Sequence, residues 1–574
     1  MPERSSVGAL GSTVQAVVGS HAADKRVAED ATLRPVPSSF RKEMTPQGRS
    51  AWMVVIGAVG ITFAGVAAGK LPVWSILLGF AVLGEGAAVV LDVLASWRRA
   101  AAAKRRKAAP AQQRSTDGKY TWQQVAQHCT EESAWIAVRG KVYDVTDFVD
   151  SHPGGRELLL LCCGRDATDL FVSYHPFTKK PEQVLKKFLI GDMVTYEHPV
   201  YPVDSGFYET MCKRVKEHLD EQNIDHKNVI TSFAKMMPAY VMGAFAFVAA
   251  YLRPDLPLAW RAVCAILFGI GCQGIPLTGW MHDSSHASIG HSEWWWYLIG
   301  RISLDWIAGS SMVSWRNQHV IGHHVYTNVM GADPDLPMTK EGDPRRIAPS
   351  QFWASVYKYQ YVYMPVLYGV LGLKSRYQDV FEIFSAHTNG PIRVNPISVQ
   401  DNVRQFASKS FWAFFRFVVP HVFFQLPWKE HILLFLCSEF VTGYWLAYNF
   451  QVSHVTTVAD WYESHVDQRD SEPVHTLVEK EWAHTQLYTT IDYGHNNFLA
   501  TYLSGGLNYQ TIHHLLPTVS QHLYPQLTPI VMDECKKRGL PYNVFRTYRE
   551  AISAHIEHLK IMGQEGRKPE LKLE

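Results

Sequence analysis

No charge of one sign dominates this chain: Lys and Arg total 55 and Asp and Glu total 53, a formal net charge of +2. The basic excess that grips nucleic acid is therefore missing. Cysteine is sparse, with 8 in 574 residues, and no two stand in a C-x-x-C pair, so a thiolate zinc site has no support. Their scatter reads as free thiols, which fits a reducing compartment and soluble parts that face the cytosol. No secretory signal opens the chain, and the early mixture of Glu and Arg fits a transit peptide poorly. Neither an H-E-x-x-H motif nor a repeat of solenoid period is present. The mean hydropathy of -0.10 is too polar for a chain wholly buried in a bilayer; it suits a membrane domain joined to soluble parts.

What the chain does have is histidine, 26 in all and much of it clustered, together with 12% aromatics. Residues 1–48 are polar and aperiodic and read as disordered. Two apolar stretches follow, Ala51 to Ala68 and Leu71 to Ala95, the second interrupted by Glu85 and Asp92. With a Lys70-Leu71-Pro72 break between them, residues 49–97 are expected to form a transmembrane hairpin. Basic residues on both outer sides place its two ends in the cytosol. Residues 98–118 read as a basic linker and 119–195 as a compact α+β domain. From 196 to 574 apolar stretches recur at Phe233 to Leu252, Leu258 to Met281, Trp294 to Met312, Phe352 to Leu373, Phe411 to Leu426 and His431 to Tyr448. The expected fold is thus a mainly α-helical, multi-span membrane domain plus a small α+β domain.

The small domain carries His152-Pro153-Gly154-Gly155 between a strand-like and a helix-like run, and the next histidine is His175. Pro153 stops the chain from continuing as helix, and the glycines let the backbone turn sharply and approach a flat ring. Two imidazoles from separate helix–loop corners suit the opposite faces of one haem iron. With both axial positions filled, such an iron carries electrons and leaves oxygen alone. H-P-G-G alone is a weak motif, and a turn with an incidental His is its bland reading. The surrounding VYDVTDFVDSHPGG, the second His and the closing FLIGDM make 119–195 resemble the cytochrome b5 family, which implies His152 and His175 as the axial ligands of haem b.

Three further clusters carry the main chemistry: His282 with His286, His319 with His323 and His324, and Gln510 with His513 and His514. Spacing of i, i+4 puts His282 and His286 on one helical face, and likewise His319 and His323, with His324 about 100° around. Imidazole suits iron, and two irons need many ligands. Hydrogen abstraction from an unactivated C–H bond lies beyond any side-chain acid or base and calls for a metal. One His pair alone is more often surface or core than ligand, and zinc needs only about four ligands. Three clusters flanking membrane stretches favour a metal site.

The pattern H-x3-H, H-x3-HH, Q-x2-HH behind a cytochrome b5-like domain resembles the front-end acyl desaturases of the membrane fatty acid desaturase superfamily, over about 119–540. WRNQHVIGHHVYTNVMGADPDLP (315–337) and GGLNYQTIHHLLPTVSQHLYP (505–525) support it. Gln510 stands where many membrane desaturases have His, a mark of the front-end group; the second box is H-x3-HH where the family often has H-x2-HH. The resemblance implies two non-haem irons held by His282, His286, His319, His323, His324, His513 and His514, with His454 of NFQVSH as a ligand outside the boxes and Asn449 acting through water. His484 is read as structural, as are His495 and His522. Asp283 is a candidate for orienting a box imidazole, and Asp333 and Asp335 either support the second box or belong to a polar loop.

The implied reaction joins an acyl lipid or acyl-CoA, O2 and two electrons from NADH-cytochrome b5 reductase to give a cis double bond and two waters. The stretch 315–337 looks more like delta-4 and delta-5 desaturases than delta-6 or sphingolipid delta-8 enzymes. A related di-iron acyl hydroxylase would leave an alcohol instead. A His-rich metal transporter would place ionisable groups at mid-span and hold no pair of irons. The expected location is the bilayer of the endoplasmic reticulum, with a plastid membrane as the alternative that the N-terminal hairpin raises.

Overall fold

The computed structural model describes residue 115, residues 117–337, 343–463, 465–466 and 476–564, and scattered positions between 86 and 97. Apart from those scattered positions, the expected N-terminal segment, hairpin and most of the linker lie outside the described residues. All eight cysteines are free.

The N-terminal domain is a five-stranded sheet in the order β1-β5-β4-β3-β2, from β1 (Lys119–Tyr120), β2 (Cys129–Thr130), β3 (Ser133–Val138), β4 (Lys141–Asp144) and β5 (Leu189–Met193). Strands β3 and β4 pair antiparallel around Arg139-Gly140, whose φ values of 51° and 71° meet the demand of a tight two-residue hairpin for two left-handed residues. β1 closes the sheet parallel to β5. Helix α1 (Trp122–Ala126) starts in a capping box: Gln124 N–H donates to the Thr121 hydroxyl and Thr121 N–H donates back to the Gln124 side chain. Helices α2 (Arg156–Cys162) and α3 (Thr168–Tyr174) lie between β4 and β5 in sequence and project away from the sheet toward the second domain.

Among the described residues, three helices of the second domain are long and apolar enough to cross a membrane: α4 (Val229–Tyr251), α5 (Leu258–Ser285) and α7 (Trp428–His454), the last preceded in the chain by α6 (Val399–Ala413). α5 is the central one, with 72% of its most apolar window inside the protein, against 28% for α4 and 39% for α7. The outward faces of α4 and α7 are apolar, with Ile230, Phe245 and Ile432 all well exposed. A continuous exposed apolar surface of this kind is what lipid covers. The other three apolar stretches do not form single long α-helices. Phe352 to Leu373 is broken into Ser355–Tyr359, Gln360–Tyr368 and Leu371–Phe381, with Pro365 inside the second piece. Trp294 to Met312 and Phe411 to Leu426 pass into π-helical turns, Arg301–Ala308 and Phe414–Phe423.

Two buried ion pairs share Glu439 on α7, one with Arg376 and one with Arg416. All three residues are buried; Gln273 accepts from Arg376 and from Thr442, and Ser438 accepts from Arg416. Charges at this depth persist only when paired in this way. α5 and α7 both run toward the same end of the domain, where they deliver His282 and His454, and α4 starts near that end, where the Gly290 N–H donates to the Lys227 carbonyl.

Candidate metal centre

Among the described residues the histidines fall into two kinds of site. In the small domain, His152 follows a 3-10 turn (Thr146–Ser151) and His175 caps the end of α3. Each uses Nδ1 on a backbone carbonyl, His152 on Gly155 at 2.9 Å and His175 on Phe171 at 2.8 Å. The proton is thereby fixed on Nδ1, and Nε2 is left as the free lone pair. The rings are 6.4 Å apart between centroids. An iron bonded to both Nε2 atoms at about 2 Å demands a centroid separation of roughly 6 Å, so the pair fits a six-coordinate haem. Burial pushes His175 down to about 4 and His152 below its ordinary range, so both are neutral and free to ligate. A Cβ at Gly154 would lie 2.7 Å from the His152 ring, and Gly155 has a φ of 83°; the two glycines hold the turn that aims His152.

The second site gathers residues far apart in sequence. His282, His286, His319, His324 and His513 bring one ring nitrogen each within 4.8 Å of one another, and so do His323, His454 and His514. The two groups adjoin: His324 and His514 stack at 4.2 Å. Nε2 of His319 lies 2.7 Å from that of His282 and 3.2 Å from that of His324, which lies 2.9 Å from that of His513. Nitrogens on one metal at bonds of about 2 Å are ~3–4 Å apart. Such a crowd of lone pairs in a dry interior repels unless cations sit among them. His286 Nε2 is buried with no hydrogen-bond partner, as a ligand atom awaiting a metal should be.

The opposite nitrogens are held from behind, as metal-ligating imidazoles require. Nδ1 of His286 meets the Tyr174 hydroxyl at 3.0 Å and Nδ1 of His513 the Tyr524 hydroxyl at 3.1 Å. His514 Nδ1 donates to Gln486 at 2.8 Å and His454 Nδ1 to the Thr489 carbonyl at 3.1 Å. His323 Nδ1 faces Asp333 at 3.2 Å and Asp335 at 3.5 Å. Burial alone would push His323 down, but these two carboxylates outweigh it and lift it above its ordinary range. Burial, reinforced by mutual repulsion, holds His286, His319, His324, His513 and His514 well below theirs, so all five are neutral ligands. Trp315 stacks on His319 at 4.4 Å and closes that side.

The second cluster keeps the expected shared face, with His319 and His323 stacked at 5.5 Å between ring centroids on the π-helical turn Arg316–His323. It nevertheless divides between the two groups: His319 and His324 join the first and His323 the second. Gln510, at the start of the short helix α8 (Gln510–Leu515), places its side-chain Nε2 3.0 Å from His454 Nε2 and 3.2 Å from His514 Nε2. Its Oε1 is buried and unpartnered. A half-turn of the amide would present that oxygen to the same point, so Gln510 fills a corner of the second group. Asn449 is engaged elsewhere: it donates to the Trp445 carbonyl and accepts from the Tyr493 hydroxyl. Asp283 also turns from the imidazoles, accepting from Ser520 and from the Gln521 N–H. His484, His495 and His522 stand outside both groups; His495 pairs with Asp492 and His522 meets Ser520. Sequence reasoning missed Tyr174, Gln486 and Tyr524. Only Tyr174 carried a signal, its place directly before His175.

A small domain with two facing imidazoles, joined to a buried histidine cage at the ends of apolar helices, defines a membrane-associated oxidoreductase. Residues 121–194 match the Cytochrome b5-like Heme/Steroid binding domain, and residues 257–546 match the family described as Fatty acid desaturase. The chain is 41% identical over 455 residues to "Delta(5) fatty acid desaturase A" of Dictyostelium discoideum, covering 78% of this chain and 95% of that protein. It is 37% identical over 449 residues to "Acyl-lipid (8-3)-desaturase" of Mortierella alpina, covering 77% and 97%. The chain belongs to the fatty acid desaturase family, in the form that carries an N-terminal cytochrome b5-like domain. That membership removes the metal-transporter alternative.

Proposed function

We propose that this chain is an oxygen-dependent front-end desaturase that inserts a cis double bond at the delta-5 position of a polyunsaturated acyl lipid. The observation that carries the reading is the convergence of eight buried imidazoles in two adjoining groups beside a haem-type site. His282, His286, His319, His324 and His513 would hold one non-haem iron, and His323, His454 and His514 the other, with Gln510 at the second. Bound there, the two irons would supply the oxygen activation that an unactivated methylene requires.

The chain's own residues do the rest. Tyr174, Tyr524, Gln486, Asp333 and the Thr489 carbonyl hold Nδ1 of His286, His513, His514, His323 and His454, so that Nε2 of these five faces inward. The apolar helices exclude water and present the acyl chain to the cage from the lipid side. His152 and His175 would hold haem b, fed by NADH-cytochrome b5 reductase, and the reaction consumes one O2, two electrons and two protons for each double bond and two waters formed. The choice of delta-5 over delta-4 follows the names of the relatives at 41% and 37% identity. The endoplasmic reticulum is the assigned membrane, where the reductase partner and acyl lipids meet.

Expression in yeast fed polyunsaturated fatty acids one at a time, with double-bond positions assigned by mass spectrometry, tests the reading. A new bond at carbon 5 is expected. An alcohol product would make the chain a hydroxylase, and a new bond at another carbon would overturn the regiochemistry alone.

A further inference from the structure

Tyr174 is the last residue of α3 and the covalent neighbour of His175, one of the two haem-type imidazoles. Its hydroxyl reaches across the domain boundary to Nδ1 of His286 at 3.0 Å, and the two rings are 6.4 Å apart between centroids. With Nε2 of His286 turned into the cage, Nδ1 carries the proton and donates it to the phenol oxygen. One residue of backbone and one hydrogen bond therefore connect an imidazole of the electron-carrying site to an imidazole of the metal centre. Among the described residues that ring both sites, Tyr174 alone adjoins one in sequence and touches the other.

The pose that makes this contact is held by charge on both sides. Glu157 of α2 accepts from Arg301 at 2.8 Å and from Arg316 at 3.2 Å, and both guanidiniums lie over the Tyr297 ring. Arg316 opens the same π-helical turn that carries His319 and His323. On the other flank Arg165 donates to the Arg393 carbonyl at 2.8 Å and to Asn395 at 2.9 Å, and Asn395 donates back to the Leu160 and Cys163 carbonyls. The Tyr174 ring packs in the apolar clusters on either side, against residues of the small domain and of the box helices alike. So the small domain is docked with α3 end-on to the cage, not tethered loosely beside it.

We propose that Tyr174 is the positioning residue through which the haem domain passes electrons to the histidine-lined centre, acting through His286. The inference rests on the di-iron reading above. Each transfer moves one electron: the haem iron goes from ferrous to ferric, one non-haem iron goes from ferric to ferrous, no bond breaks and the phenol keeps its proton. Two such transfers serve each double bond formed.

The test uses the full-length, haem- and iron-loaded protein and its Y174F and Y174L variants. After complete chemical reduction and mixing with oxygen and acyl substrate, the first turnover needs no electron from the haem, whereas reoxidation of the haem needs the route through Tyr174. Y174F is expected to slow haem reoxidation, followed by its visible absorption, by roughly 5-fold, the effect of one lost hydrogen bond of average strength on a docking equilibrium. Y174L should slow it further. Haem midpoint potential should match wild type in Y174F, and haem reoxidation should fall by more than first-turnover product or non-haem iron content, each taken relative to wild type. Wild-type reoxidation in Y174F and in any folded Y174L overturns the proposal. So does a fall in iron content or first-turnover yield that matches the fall in reoxidation, because Tyr174 would then only orient His286. A wild-type protein without non-haem iron would instead defeat the di-iron reading itself.

Discussion

The two histidine sites of this protein are built in opposite ways. The pair in the small domain comes from one short stretch: a Pro-Gly-Gly turn aims His152, the end of α3 aims His175, and each Nδ1 is satisfied by a carbonyl three or four residues away in the same chain segment. The cage draws on α5, the π-helical turn at Arg316–His323, the end of α7 and α8, and its supporting partners come from still other segments. A local site is secured by backbone conformation. A site of long-range origin exists only when several packed helices end at the same depth, so its ligands are buried as a group and depend on one another.

Four substitutions sharpen that contrast, in order of expected effect. His324→Ala removes a ligand stacked between both imidazole groups. It should abolish desaturation, by at least ~100-fold, and release non-haem iron while leaving the haem spectrum intact; metal analysis with absorption spectroscopy checks both. His152→Ala should do the reverse: no haem absorption and no NADH-driven product, with non-haem iron retained. Asp333→Asn keeps every ligand but weakens the hold on His323 and the Asn328 N–H. Iron affinity should fall by about 10–100-fold, measured by competition with a chelator. Thr121→Ala deletes one cap of the small domain's first helix. A loss of about 1 kcal/mol, confined to haem-domain unfolding followed by haem release, is expected, with desaturation unchanged at low temperature.

A fifth change probes the boundary between the two regimes. Gly322 lies inside the second box, and a Cβ there would collide with the ring of Pro334 in the loop that offers Asp333 and Asp335. Gly322→Ala should cost roughly 1–3 kcal/mol and reduce iron occupancy without touching a ligand, measurable by thermal unfolding alongside metal analysis. Equal iron content in this variant and wild type would mean that the loop adapts and that the cage is more local than the geometry indicates.

Legibility followed the same divide. The His152 turn was readable because it is a few-residue decision about φ, hydrogen bonding and chain reversal. The box histidines were readable as types and spacings, since seven clustered imidazoles beside apolar stretches have few other uses. Their partition was not: His319 and His323 share a helical face and stack, yet fall in different groups, because the packing of other segments decides which imidazoles each one meets. Asp283 was a plausible orienting group by position, yet it accepts hydrogen bonds from Ser520 and the Gln521 N–H instead. Three of the six apolar stretches gave no helix both long and apolar enough to cross a membrane; a widened turn alone does not decide this, since α5 contains two, Gly269–Gly274 and Leu277–Met281.

By itself the sequence determined which chemistry was available: paired imidazoles for an electron carrier, a larger set for a metal cage, and apolar helices to seat that cage beside lipid. Tertiary structure alone decided which imidazole shares which group, that His454 and Gln510 meet across a long gap in sequence, and that Tyr174 bridges the domains. The reason is range. Backbone torsions and neighbouring residues set local turns, whereas a buried multi-helix site is fixed by how whole helices pack, and packing is a property of surfaces that no short stretch of sequence contains.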